Sequence, residues 1–104
     1  MEQANLEVIM GLIMNAGDAK SNAMEAIQLA KEGQFEEASA KIEAAEQALI
    51  QAHHSQTEML TQEAQGTSVE ISLLTVHSQD HLMTSITFVD LAKELVEIYQ
   101  RIDK

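Results

Sequence analysis

The chain has no cysteine, no proline and no tryptophan, and only four glycines in 104 residues. Without cysteine there is no disulfide and no thiol chemistry, which fits a reducing compartment. Without proline, and with so few glycines, the chain has few places to turn. Basic residues are also scarce: six against seventeen acidic ones, for a formal net charge of −11. Phosphate backbones are repelled by such a surface, which argues against nucleic acid as a partner; a basic protein surface is attracted by it. No apolar run approaches the roughly 20 residues needed to span a bilayer. The N-terminus shows no basic region followed by the apolar core of a signal peptide. The expectation is a soluble cytoplasmic protein of one domain, residues 1–104.

What is present favours helix. Alanine, glutamate, glutamine, leucine and methionine dominate. The spacing predicts three long helices, at about 2–31, 35–63 and 69–102. In the first, Leu6, Ile9, Ile13, Ala16, Ala23 and Ile27 keep the three-four rhythm of one face, with Lys20 as a polar break. Gly11 and Gly17 interrupt this helix and mark either close approach of a neighbour or tolerated weakness. Gly33 suits a left-handed C-terminal cap, with Lys31 near the helix end. The second stripe reads Phe35, Ala38, Ile42, Ala45, Leu49, Ala52, Gln56 and Met59, with Glu36 and Glu37 in the first turn. Gly66 is the expected second turn residue, and Ser68 the expected cap of the third helix.

The third helix carries two apolar seams side by side. One runs through Leu74, His77, His81, Thr84, Phe88, Leu91, Leu95, Ile98 and Ile102; the other through Val69, Leu73, Val76, Asp80, Met83 and Thr87. Ile71, Leu82, Ile86 and Val89 widen the surface further. One hairpin partner does not cover so broad a stripe. Three rods of about 45 Å give a slender bundle with a thin core. The fold class expected is all-α, an antiparallel three-helix bundle with surplus apolar area for self-association.

Within these seams, His77, Asp80 and His81 are related by steps of three and four, so their side chains meet near one patch. Imidazole and carboxylate at that spacing suit a metal. A neutral imidazole also attacks phosphorus and forms a covalent intermediate. The third possibility is ordinary core histidines bonded to neighbouring helices. Asp80 lies between Val76 and Met83, with no lysine or arginine within a turn. In a symmetric oligomer it faces its own copies, and either a proton or a shared cation must relieve the repulsion; oxygen-only ligation favours magnesium or a similar hard ion. His53, His54 and Gln56 lie on the second helix, and a rough count about the Gln65–Thr67 turn sets His54 across from His77.

The segment Val76-His77-Ser78-Gln79-Asp80-His81-Leu82-Met83-Thr84 resembles the enzyme IIA component of the lactose/cellobiose (N,N'-diacetylchitobiose) class of the bacterial phosphoenolpyruvate-dependent sugar phosphotransferase system. Met10-Gly11-Leu12-Ile13 with Ala16-Gly17 and Ala19, Ala30-Lys31-Glu32-Gly33 with Phe35 and Ala38, and Ala52-His53 with Gln56-Thr57 extend the resemblance over essentially the whole chain. Ser78 stands where the family often has alanine, and the second turn is poorer in glycine than in some relatives; neither replaces a motif residue.

The resemblance implies a homotrimer of three-helix subunits, nine helices in all. It implies that His77 carries the phosphoryl group on Nε2, with His81 as a supporting catalytic group. It implies one Mg2+ or similar divalent cation on the trimer axis, shared by three copies of Asp80. His53, Gln56 and Thr84 are candidate supporting residues. The implied donor is the histidine-containing phosphocarrier protein; the implied acceptor is a cysteine of the IIB component, with the membrane IIC component associated indirectly. Such a component relays phosphate and does not turn over free substrate. Two other readings stay open: a metal-binding helical bundle, and a helical interaction module, since Ala26 to Leu49 resembles one tetratricopeptide-like unit where arrays need about three. Lactose, cellobiose, chitobiose and aromatic β-glucosides are all compatible with the sequence.

Overall fold

The computed structural model describes residues 3–103. Its elements are α1 (Gln3–Lys31), α2 (Phe35–Ala64) and α3 (Leu73–Ile102). They pack as an up-down-up bundle measuring 56 × 20 × 19 Å. Among the described residues, no helix is long and apolar enough to cross a membrane.

Two glycines make the turns. Gly33 has φ +80° and Gly66 φ +90°, a region that a side chain disfavours. At the end of α1, Gly33 N–H donates to Ala30 O and Gln34 N–H to Leu29 O; at the end of α2, Gly66 N–H donates to Glu63 O and Thr67 N–H to Gln62 O. Both ends are therefore closed by the paired bonds of a Schellman cap, which satisfy carbonyls that helix termini otherwise leave open.

The start of α3 differs from expectation. Residues 67–72 are not helical, and the helix begins at Leu73, four residues after Val69. Ser72, in extended conformation, is the cap: its hydroxyl accepts from Thr75 N–H at 3.2 Å. Thr75 Oγ1 also donates to Glu70 O at 2.9 Å, tying the connecting segment to the first turn. Ser68 lies outside the helix and caps nothing. Side chain to backbone bonds of this kind compete with helix and delay its start.

The core is built mostly of alanine. Ala16, Ala19, Ala23, Ala26 and Ala30 of α1 meet Ala38, Ala45, Ala48 and Ala52 of α2 and Ala92 of α3, all buried. Such small side chains let helix axes approach closely. Ile9, Leu12, Leu82 and Val89 are the largest apolar side chains buried completely. Val89, Ala92 and Val96 join the α1–α2 hairpin in one cluster, so the Ala26–Leu49 segment is closed by a third helix rather than left open for stacking.

The face that α3 turns inward is not either expected seam. It is Thr75, Ser78, Leu82, Ser85, Val89, Ala92 and Val96. The expected seams flank it: Leu74, His81 and Phe88 are half-buried, while Val76, His77, Asp80, Met83, Thr84, Thr87, Leu95, Ile98 and Ile102 are exposed. Leu73 is 86% and Leu91 57% exposed. The physical reason lies in the alanine core. A helix that is apolar on several sides packs with the stripe that fits most closely, and here that stripe is the one rich in serine, alanine and valine. Bulky residues such as Leu73, Val76, Met83, Leu91, Leu95, Ile98 and Ile102 are left exposed along α3.

Candidate functional site

The site is assembled on α3 one to three turns after its cap. His77 is exposed and His81 half-buried, one helical turn further on. Their rings stack with centroids 5.6 Å apart and planes inclined by 17°. The four-residue step places both imidazoles on one side of the helix, where rings can overlap.

Packing against α1 holds the pair. Ser85 Oγ donates to His81 O at 2.6 Å and to Ala16 O at 3.0 Å, which seats α3 against α1 at this level. Immediately beside that contact, a Cβ on Gly17 would lie 3.4 Å from His81 Nε2. Gly17 therefore marks a place where α1 and His81 of α3 approach to contact. Gly11 has open space around it and does not.

His81 is the perturbed group of the site. Its pKa lies below the ordinary imidazole value of 6.5, first because burial disfavours the charged ring, then because the Lys20 ammonium and His77 oppose a further positive charge. His81 is thus biased toward the neutral form. Lys20, on α1 three residues after Gly17, was legible only as a polar break in an apolar stripe; its electrostatic effect on His81 was not.

Asp80 is exposed, between the exposed Val76 and Met83. Among the described residues, no three His, Cys, Asp or Glu side chains of this chain gather to hold a metal. One chain offers a single hard carboxylate on an apolar face. That donor fits a divalent cation only where further copies add theirs.

Thr84 is exposed, and its hydroxyl donates to Asp80 O at 2.9 Å and His81 O at 3.3 Å, within its own helix. Gln56 is brought not to His77 but to Gln79: its Nε2 donates to Gln79 Oε1 at 2.8 Å. Gln79 in turn directs Nε2 toward Met59 Sδ at 3.8 Å and Ser78 Oγ at 3.4 Å. The motif glutamine thus faces α2 and sets its register against α3, a role not read from the sequence. His53 and His54 stand apart, lining a shallow cavity with Leu49, Ile50 and Ile86. The count that set His54 across from His77 is out by more than a turn, because the helix begins late and Gln56 already meets Gln79.

The whole arrangement has known counterparts. Residues 7–100 match the family model of the lactose/cellobiose-specific IIA subunit of the phosphotransferase system. The chain is 44% identical over 102 residues to the lichenan-specific phosphotransferase enzyme IIA component of Bacillus subtilis, covering 98% of this chain and 93% of that one. It superposes on the crystal structure of the cellobiose-specific enzyme IIA from Bacillus anthracis with a TM-score of 0.94 and 43% identity, covering 98% and 94% of the two chains. It superposes on the chitobiose IIA of Escherichia coli, solved in complex with HPr, with a TM-score of 0.83 and 39% identity over 98% of each. Sequence, fold and motif agree: the chain belongs to the lactose/cellobiose-specific IIA family of the sugar phosphotransferase system.

Proposed function

We propose that His77 is the phosphoryl carrier of the chain. It accepts phosphate from the histidine-containing phosphocarrier protein and passes it to a cysteine of the IIB component during uptake of a β-linked disaccharide. The observation that carries this reading is the position of His77, exposed on the outer face of α3 and stacked on a half-buried His81. An exposed ring is reachable by two partners in turn; a fixed neighbour limits the orientations it samples. The complex of the E. coli relative with HPr supports the first partner.

The transfer is an in-line displacement. The Nε2 lone pair of neutral His77 forms the new N–P bond as the N–P bond of the donor phosphohistidine breaks, and that electron pair stays on the donor imidazole. In the second step the IIB thiolate attacks the same phosphorus, and the His77 imidazole leaves with its electron pair. The protein's contribution is position and charge neutralisation rather than acid–base work. His81, biased to the neutral form, places no cation of its own against the attacking ring.

Self-association through the outer face of α3 completes the reading. Val76, Met83, Leu91, Leu95 and Ile98 are all exposed in the single chain and share this helix with Asp80. A homotrimer packed on that face brings three copies of Asp80 to its axis, where they would hold Mg2+ or a similar ion. That ion supplies neutralisation of the clustered carboxylates. The membrane IIC component is reached only through IIB.

Incubation with radiolabelled phosphoenolpyruvate, enzyme I and the phosphocarrier tests the assignment. Label enters the wild type and not His77→Gln. Label retained by His77→Gln removes His77 from its role.

A further inference from the structure

The segment of α3 that carries His77 is held from two sides. Gln79 and His81 are both half-buried and flank the inward stripe of Ser78, Leu82 and Ser85. His81 comes to contact with α1 at Gly17. Gln79 turns to α2, where its Oε1 accepts from Gln56 Nε2 at 2.8 Å. The other end of the Gln79 amide is fixed as well. Its Nε2 points to Met59 Sδ at 3.8 Å and to Ser78 Oγ at 3.4 Å, and Ser78, fully buried, donates to Thr75 O at 2.6 Å. Acceptors on one side and a donor on the other leave the amide one favourable orientation. Packing alone does not hold α3 to α2 here. A cleft of about 280 Å3 opens beside the pair, between α2, the connecting segment and the first turns of α3; Gln56, Met59, Leu60, Ile71, Thr75 and Gln79 are among its walls. One turn earlier on α2 the buried contact is the small Ala52, clustered with Leu12 and Leu82. The ion pair of Lys93 with Glu46 joins the same two helices much further along, on the exposed surface.

Resting on the reading of His77 as the carrier, we propose that the Gln56–Gln79 hydrogen bond aligns His77 for phosphoryl transfer, with both glutamines acting as positioning residues. The Gln79 amide is engaged with α2 and with Ser78 rather than with an imidazole. Two glutamine side chains lose rotamer freedom when they are held, and an apolar pair closes the same contact with less ordering. What the amides add is direction. A bond of 2.8 Å fixes both the distance and the angle between α2 and α3 beside the cleft. Without it, α3 rolls about its contact with α1. His77, exposed and two residues before Gln79, then moves with the helix. In-line attack needs the imidazole nitrogen, the phosphorus and the leaving nitrogen in register, and a displacement of about 1 Å costs up to about a hundredfold in rate.

The test measures phosphorylation of the full chain over a range of phosphorylated phosphocarrier concentrations, for Gln56→Met, Gln79→Met and the double variant. Methionine keeps the length of the side chain and removes the amide. Each variant is expected to show a roughly tenfold lower maximal rate, with KM for the phosphocarrier little changed. The double variant loses no more than either single one, since the same bond is broken in all three. The nuclear Overhauser effect between the Gly17 α-protons and the His81 ring, which reports the α1 side of the segment, weakens in all three. Thermal melting separates position from stability. The single variants leave an amide unpaired and melt lower; the double variant leaves none and melts near wild type. It also carries the test if a single variant does not fold. A double variant whose rate recovers together with its melting temperature overturns the proposal, because the pair then only stabilises. Gln79→Met slow beside Gln56→Met at the wild-type rate overturns it too, because Gln79 then acts without its partner. A change confined to KM does the same, since docking rather than alignment is then affected. Wild-type rates in all three variants sink this inference and leave the carrier assignment standing. If His77→Gln still takes label, the carrier assignment falls and takes this inference with it.

Discussion

His77 and His81 stack at 5.6 Å, and the lower ring of the pair is the one pressed against α1. The arrangement joins a reachable imidazole to one whose environment is set by the bundle. It also ties the chemistry of the outer face to packing inside the chain.

The first consequence concerns pH. The pKa of His81 is depressed in the folded state relative to 6.5. The unfolded chain then binds more protons than the folded one in the window below 6.5, so this contribution to stability is fully present above 6.5 and lost as pH falls through the folded value. NMR titration of the ring protons should give a midpoint below 6.5 for His81. Denaturant unfolding across the same range should show a smaller loss of stability in His81→Gln than in wild type. A midpoint at or above 6.5 contradicts the description of its environment.

The two interior glycines of α1 separate space from conformation. Gly11→Ala meets open space and should stabilise the chain by about 0.5–1 kcal/mol through helix propensity. Gly17→Ala only reaches contact with His81 Nε2, whereas Gly17→Leu adds three further carbons beside that ring and is expected to shift it. Chemical denaturation and phosphorylation rates together read the series. Gly17→Leu should slow phosphorylation with Gly11→Ala unchanged; equal rates in all three would mean that the His81 position is irrelevant.

Capping gives a local check on where α3 begins. Ser72→Ala removes the hydroxyl that accepts from Thr75 N–H and should cost about 1 kcal/mol in urea unfolding. Ser68→Ala should be close to neutral. The reverse order would restore the longer helix that periodicity suggested.

How far the residues announced this structure depends on where one looks. The two turns were legible because Gly33 and Gly66 each occupy a position that needs positive φ, a local demand. The stripe of α2 was legible because its polar side is unambiguous. The start of α3 was not, since Val69, Ile71 and Leu73 continue an apolar pattern while Ser72 and Thr75 fix the first turn by hydrogen bonding. Nor was its inward face: apolar residues lie on several sides of α3, and the choice among them is made by fit to the alanines of α1 and α2. The pairing of His77 with His81 was readable from helical spacing; Asp80, expected at the same patch, forms no metal-holding group with them among the described residues. Gly17 was not readable as a neighbour of His81, because the two come together only once α1 and α3 lie side by side.

The outer face of α3 makes its own forecast. Met83→Glu with Leu91→Glu alters residues exposed in the single chain, so helix content should persist. Sedimentation velocity should show wild type as a trimer and the double variant shifted toward monomer. A wild-type monomer, or a variant of unchanged mass, would exclude this face as the assembly surface.

The most direct measurement is NMR of the chain carrying 15N-labelled histidine, before and after phosphorylation by the phosphocarrier. The account requires a 31P–15N coupling at Nε2 of His77, with His53, His54 and His81 carrying no phosphorus. A coupling at any other histidine, or phosphate bound with no coupling to nitrogen, would contradict it.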